Sequence, residues 1–317
     1  MTNTEFRKGQ VIKYLVWTFA LAYIIQIGSA SLYKSNRQVG QLVLAAMMFV
    51  PALGVILSRA SLKGMGVILS GADLKEMGWK PQIKKNFRTY LIAWFGPLIL
   101  TLVGGALYFL IFPRHFDLSG TYFTAIGGAQ AIEEMEAQGI TYPIFVLINV
   151  VSSITYAPLI NALIAVGEEI GWRGFLYPQL KAGFGRRMGW ILGGLIWGAW
   201  HWPLIWLIGY EYGAAAGNNA GYIGAPVTGM LFFAVNTVAL GILHDWLYER
   251  SGSIWAPSLL HGAFNAVAAL PLSVCLSDTG SFRLLGPMPN GIISEIPLLI
   301  IAAVLLAKAE KKRHTAL

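Results

Sequence analysis

The sequence predicts an all-α membrane protein, a polytopic helix bundle with about eight transmembrane helices. Three observations carry that expectation. Of the 317 residues, 56% are hydrophobic and 12% charged, with a mean hydropathy of +0.60; soluble domains carry about 25% charged residues. Apolar runs of membrane length recur along the whole chain. The basic residues behind the formal charge of +8 and pI near 9.5 lie between those runs. There they set topology and meet anionic headgroups, so membrane lipid is an expected partner and nucleic acid is not. The length would admit two soluble domains, but the spread of apolar runs argues for one integral membrane domain over 1–317. Cys275 is the only cysteine, which excludes an intrachain disulfide and any CxxC metal or redox motif.

Taken in order, eight segments are apolar and long enough to span. They are Val11–Leu32, Gln41–Leu57, Tyr90–Phe112, Pro143–Ala165, Gly189–Ile208, Val227–Leu247, Ile254–Val274 and the marginal Ile292–Ala307. The first follows Arg7 and Lys8 and offers small residues at Gly28-Ser29-Ala30, as a signal peptide would. Its apolar run of about 17 residues is longer than a usual signal core, and it contains Trp17 and Tyr23; an uncleaved helix is expected. Between the second and third spans, Arg59–Arg88 mixes lysines with Leu62, Met65, Val67, Ile68, Leu69, Leu74, Met77 and Trp79, and reads as lying on anionic lipid. The segment Pro113–Tyr142 carries Asp117, Glu133, Glu134 and Glu136, with a short helix expected over Ala125–Gln138.

Orientation follows from charge. With the N-terminus inside, inner segments and helix ends hold 19 basic residues, and outer segments hold four, Lys34, Arg37, Arg114 and Arg283. That bias predicts both termini in the cytoplasm, and, for a bacterial chain, residence in the plasma membrane. There is no internal repeat, no low-complexity tract and no inverted symmetry of the transporter kind.

Within this apolar chain a few polar residues stand out. Glu168-Glu169-Ile170-Gly171-Trp172-Arg173 follows the run Ile144 to Val166, which holds no Asp, Glu, Lys, Arg or His. Charges in hydrocarbon lose hydration and are costly. On a helix Glu169 and Arg173 stand four apart and share a face, while Glu168 points about 100° away. One acid can be neutralised while its neighbour works; a boundary ion pair is the other reading. The fifth span carries His201 within Trp197-Gly198-Ala199-Trp200-His201, and the seventh carries His261 and Asn265, again four apart on one face. Each alone could be ordinary interhelical hydrogen bonding, but their joint occurrence on three spans points to a site. His244-Asp245, Glu249 and Arg250 sit near the end of the sixth span and are explained by a boundary position; His115 and His314 receive no role.

Two acids, two histidines and an asparagine suit water activation. A poorly hydrated carboxylate becomes a better proton acceptor, and a His or Asn donor can stabilise an oxyanion. Alternatively, Glu168, His201 and His261 could bind a zinc ion that acidifies water; the metal stays open, and the chain has no HExxH.

These residues resemble the motifs of the CAAX prenyl protease and bacteriocin-processing (CPBP, or Abi) family. Glu168-Glu169 with Arg173 is similar to its EExxxR element, His201 to FxxxH with Trp197 in place of Phe, and His261 with Asn265 to HxxxN. The stretch Glu249 to Pro257 resembles the family's lead-in to the last motif. The resemblance covers about Pro143–Val274, a catalytic core over 143–274. It implies an intramembrane endopeptidase acting on a peptide or protein substrate, with C-terminal prenylation as in eukaryotic members. By the same analogy Glu168 activates water with His201, His261 and Asn265 polarise the scissile carbonyl or hold the oxyanion, and Glu169, Arg173 and Trp197 shape the site. The alternatives are a non-proteolytic scaffold or bacteriocin-immunity protein on the same fold and, more distantly, a proton-coupled transporter. The intact Glu168, His201, His261 and Asn265 argue against the scaffold, and the lack of inverted symmetry argues against the transporter.

Overall fold

A computed structural model describes residues 5–59, 75–213, 221–277 and 279–310. Among the described residues the chain is helical without a strand; one isolated bridge pairs Phe116 with Cys275. The lipid-lying stretch expected around Leu62, Met65, Val67, Ile68, Leu69 and Leu74, the basic tail Lys311, Lys312 and Arg313, and His314 all fall outside the described residues.

The first three helices are α1 (Lys8–Ser35), α2 (Arg37–Met47) and α3 (Val50–Arg59). Asn36 separates the first two, and its side-chain oxygen accepts from Val39 N at 3.1 Å, satisfying one of the free donors at the start of α2. Next come α4 (Phe87–Ile111), α5 (Ala129–Ala137) and α6 (Tyr142–Ile154). Asp117 closes the turn after α4 by accepting from the backbone and hydroxyls of Ser119 and Thr121 at 2.6–3.1 Å. Slight burial opposes its charge, yet these donors hold its pKa down at about 2.

The stretch 143–274 expected as the core begins in α6 and continues over the next six helices. They are α7 (Ala157–Gly171), α8 (Tyr177–Phe184), α9 (Arg186–Trp200), α10 (Trp202–Ile208), α11 (Val227–Ser251) and α12 (Trp255–Val267), with α13 (Ile296–Glu310) last.

Among the described residues, six helical stretches are long and apolar enough to cross a membrane: Lys8–Tyr33, Gln38–Arg59, Phe87–Ile111, Arg186–Ile208, Val227–Ser251 and Trp255–Val274. A seventh arises if the pair Thr121–Ala137 and Tyr142–Ile154, bent by 103°, counts as one. The protein is thus an integral, multi-pass bundle. The expected number of about eight is reduced at two places. The expected span Pro143–Ala165 is divided between α6 and α7, because the chain turns at Thr155 and Tyr156 and restarts with Pro158 in the first turn of α7. Proline has no N–H to continue the preceding ladder and disfavours helical geometry in the residue before it. The expected Ile292–Ala307 is the 15-residue α13; at about 1.5 Å per residue it is shorter than a hydrocarbon core of about 30 Å.

Helix α7 is the centre of the bundle, packed against α12 on one side and α3 on another. Small residues let the backbones approach, as in membrane interfaces generally. A Cβ at Gly262 of α12 would stand 2.3 Å from Ala162 N and 2.6 Å from Pro158 O of α7. Gly262→Ala should therefore force α7 and α12 apart. The cost of such overpacking is about 1–3 kcal/mol, visible as a fall of several degrees in the unfolding temperature of the detergent-solubilised protein. An unchanged temperature would contradict the close approach.

Candidate active site

The site forms where α7 ends. Its last turn carries Glu168 and Glu169, and the chain continues through a π-helical turn, Trp172–Leu176, before α8. Such turns insert a residue into the helix and re-aim the side chains around them. Four-residue spacing across this junction pairs Glu168 with Trp172 and Glu169 with Arg173, each at 3.0 Å. All four residues are buried.

The two acids have different surroundings. Oε2 of Glu168 accepts two indole N–H bonds, from Trp172 at 3.0 Å and from Trp197 of α9 at 2.9 Å. Its Oε1 has no hydrogen-bond partner among the described residues. Glu169 turns the other way. Its Oε1 meets Arg173 Nη1 at 3.0 Å and His261 Nδ1 of α12 at 2.9 Å. The Arg173 guanidinium lies over the rings of Tyr177 and Trp197, each 4.6 Å from its carbon, so the cation is held by π faces as well as by charge.

Backbone breaks position the histidines. α9 stops at Trp200 and α10 restarts with Pro203 in its first turn, leaving His201 at the junction. The His201 Nδ1 lies 2.9 Å from Trp197 O, which makes Nδ1 the protonated nitrogen and leaves Nε2 as an acceptor. The ring sits edge-on to Trp200 and Phe233 and stacks on Tyr210. His261 packs edge-on against Trp197, with ring centroids 5.5 Å apart. Asn265, one turn beyond His261, is exposed, and its side chain makes no hydrogen bond among the described residues.

Trp197 is thus the hub. It donates to Glu168, carries Arg173 on its face, and touches His201, His244 and His261. The expected pairing of Glu169 with Arg173 is formed and His261 meets the same carboxylate, while Asn265 stands outside this contact network.

Two participants are not among the sequence-predicted site residues. Trp172 lies inside the acidic hexapeptide, and its signal is the four-residue spacing from Glu168. His244 is expected at a membrane boundary together with Asp245, but the two side chains diverge. Asp245 accepts from Lys181 at 2.5 Å and Trp190 at 2.6 Å, within an ion network with Glu249 and Arg186. His244 instead packs against Trp197 and His261, with centroids 5.4 and 5.6 Å apart, and its Nδ1 lies 2.7 Å from Leu240 O. Its signal is a helical phase one residue away from that of Asp245, about 100° around the axis.

The donor atoms also bear on zinc. Among the described residues, the group able to hold an ion is Glu169, His244 and His261, one donor atom of each lying within 4.8 Å of the others. It shares only His261 with the expected set Glu168, His201 and His261. Two imidazoles and a carboxylate with no further protein ligand are a donor set that fits zinc.

A multi-pass helical membrane protein whose buried Glu, Arg, Trp and His side chains converge from α7, α9, α11 and α12 is thus the class defined by fold and site. Residues 148–267 match the family model described as type II CAAX prenyl endopeptidase Rce1-like. The chain is also 24% identical over 255 residues to CAAX prenyl protease 2 of Methanococcus maripaludis, covering 80% of this chain and 81% of that protein. The resemblance to CAAX prenyl proteases read from the motifs is borne out, and family and relative together support a peptidase.

The buried ion pair gives a direct test of the geometry. Arg173→Met leaves Glu169 buried without its cation, a loss of about 3–5 kcal/mol for such pairs. Glu169→Gln combined with Arg173→Met should recover much of the lost thermal stability. A double variant no more stable than Arg173→Met alone would show that the pair does not control folding.

Proposed function

We propose that this protein is an intramembrane endopeptidase of the CAAX prenyl protease type, in which Glu168, with His201, activates the hydrolytic water. The observation that carries this reading is the asymmetry of Glu168. Two indole donors hold Oε2, fixing the carboxylate plane, and Oε1 is left to accept a hydrogen bond from water. A carboxylate so oriented needs no rearrangement to take the proton. His201 presents Nε2 as a second acceptor for the same water.

The remaining groups serve the carbonyl. Glu169 holds the Nδ1 proton of His261 and is itself held by Arg173, so the ring orientation is fixed. In its protonated form His261 then donates from Nε2 to the carbonyl oxygen, with the Asn265 amide one turn away as a second donor. As water adds to the carbonyl carbon, its proton passes to Glu168 and negative charge develops on the oxygen facing those donors. Collapse of the tetrahedral intermediate breaks the C–N bond, and Glu168 returns the proton to the leaving amine. A zinc ion held by Glu169, His244 and a neutral His261 would supply Lewis acidity in place of that donor.

The descriptions of the family model and the relative support, as substrate, a protein prenylated near its C-terminus, which membrane lipid would present laterally to a site inside the bundle. A non-proteolytic scaffold is the weaker reading, since it gives no account of why one glutamate is held by two indoles with an oxygen to spare.

The test uses purified protein in detergent with fluorescence-quenched peptides, prenylated and unprenylated. Cleavage should require the prenyl group. Glu168→Gln should lower kcat/KM by about 10³-fold, within the range for loss of a general base. Asn265→Ala should lower it by about 10²-fold, as for loss of one oxyanion donor, without shifting the unfolding temperature because the residue is exposed. Cleavage by Glu168→Gln at the wild-type rate would overturn the mechanism.

A further inference from the structure

We propose that Asn161 of α7 binds the main chain of the substrate, its Oδ1 accepting an amide N–H a few residues from the scissile bond. Asn161 belongs to no motif of the sequence, and this role rests on the peptidase reading above.

The course of α7 and α12 places it. Just beyond α7, a Cβ at Gly174 would stand 3.2 Å from Met77 Cγ. Just before α12, the Ile254 N–H donates to Gly78 O at 3.1 Å. The end of α7 and the start of α12 therefore share one end of the bundle, and the two helices run antiparallel. Asn161, early in α7, and Asn265, late in α12, lie toward the other end. There Asn161 Nδ2 is 3.4 Å from the O of Gly262, three residues before Asn265. Along α7, Asn161 precedes Glu168 by seven residues, so the two share a face and stand about 10 Å apart along the axis. The exposed Leu159 and Leu163 lie two residues to either side, about 160° around the axis, so Asn161 faces away from the bundle's outer surface.

Its amide is only partly engaged. At 3.4 Å the contact with Gly262 O is longer than the span of about 2.7–3.2 Å for an ordinary N–H···O bond. Its Oδ1 has no hydrogen-bond partner among the described residues. An asparagine that joins two helices has its groups taken up across the interface. Here the acceptor of half-buried Asn161 and the whole amide of exposed Asn265 are open at the same end, with Glu168 further along the same face. An extended peptide complements that arrangement, because each residue presents one C=O and one N–H. It covers about 10 Å in about three residues. Asn265 then donates to the carbonyl, as above, while Asn161 accepts from an N–H further along the peptide. Held at both points, the segment cannot roll about its own axis, which keeps the scissile carbonyl towards Glu168.

The test uses the full chain in detergent with the prenylated quenched peptide. A matched set of peptides replaces one amide at a time by an ester, which removes a single N–H. Asn161→Leu, close in shape, should raise KM about tenfold, near the upper end for one hydrogen bond, while kcat and the unfolding temperature stay unchanged. In the wild type one ester position, within about three residues of the scissile bond, should cost the same factor. In Asn161→Leu that position should cost nothing further, and the others what they cost the wild type. An unchanged KM, with or without a fall in unfolding temperature, would make Asn161 a helix-joining residue and overturn the proposal. So would an ester series with no sensitive position in the wild type, a measurement that needs no variant. Failure of the wild type to cleave any peptide would instead remove the peptidase reading, and this role with it.

Discussion

The site depends first on the pairing of Glu169 with Arg173. A carboxylate with no exposed surface is tolerated because a guanidinium stands four residues on, with its own charge spread against Tyr177 and Trp197. Neither charge is stable there alone. Once the pair exists, Oε1 of Glu169 becomes a fixed anchor inside the bundle and can orient His261 from a helix 92 residues away in sequence. The ion pair is thus a means of placing a histidine, and the α7–α12 approach permitted by Gly262 brings that histidine within reach.

Interrupted helices do the rest. A continuous helix sends successive side chains around its axis and cannot gather several of them at one point. The π-helical turn after Gly171, the stop before Trp202 and the turn at Thr155 each release part of the chain from that constraint. In a membrane such breaks need internal partners for the freed backbone groups. At His201 the partners are local: its N–H donates to Gly198 O, and its ring nitrogen lies against Trp197 O. The residue that interrupts the helix is therefore also held by it.

Much of this architecture is legible in the amino-acid sequence. Apolar runs identify an all-α bundle because hydrocarbon leaves the backbone little else to form, and four-residue spacing identifies Glu169 with Arg173. Hydropathy gives eight spans, since it averages over Thr155 and Tyr156 and cannot distinguish one long span from two helices meeting at a turn. Asn265 is legible as a partner in helical phase with His261, but its exposure is not, because phase fixes a face and not what covers that face. His244 is hidden for a related reason. Next to Asp245, Glu249 and Arg250 it looks like one of a group of boundary charges, and only the packing of α11 against α9 turns it towards Trp197 while Asp245 turns to Lys181 and Trp190.

On the proposed mechanism two adjacent acids are needed, because one carboxylate cannot both anchor and react. An oxygen saturated by Arg173 and His261 is a poor proton acceptor, since its lone pairs are engaged and its charge is offset. Glu168, turned about 100° from its neighbour, receives neutral indole donors on a single oxygen. Those donors orient the carboxylate without cancelling its charge. Exchanging Trp172 or Trp197 for a cationic side chain would hold Glu168 as firmly but would set a full positive charge against it. Tryptophan at both positions thus orients the second acid through neutral donors on one oxygen, as the proposed role of Glu168 requires.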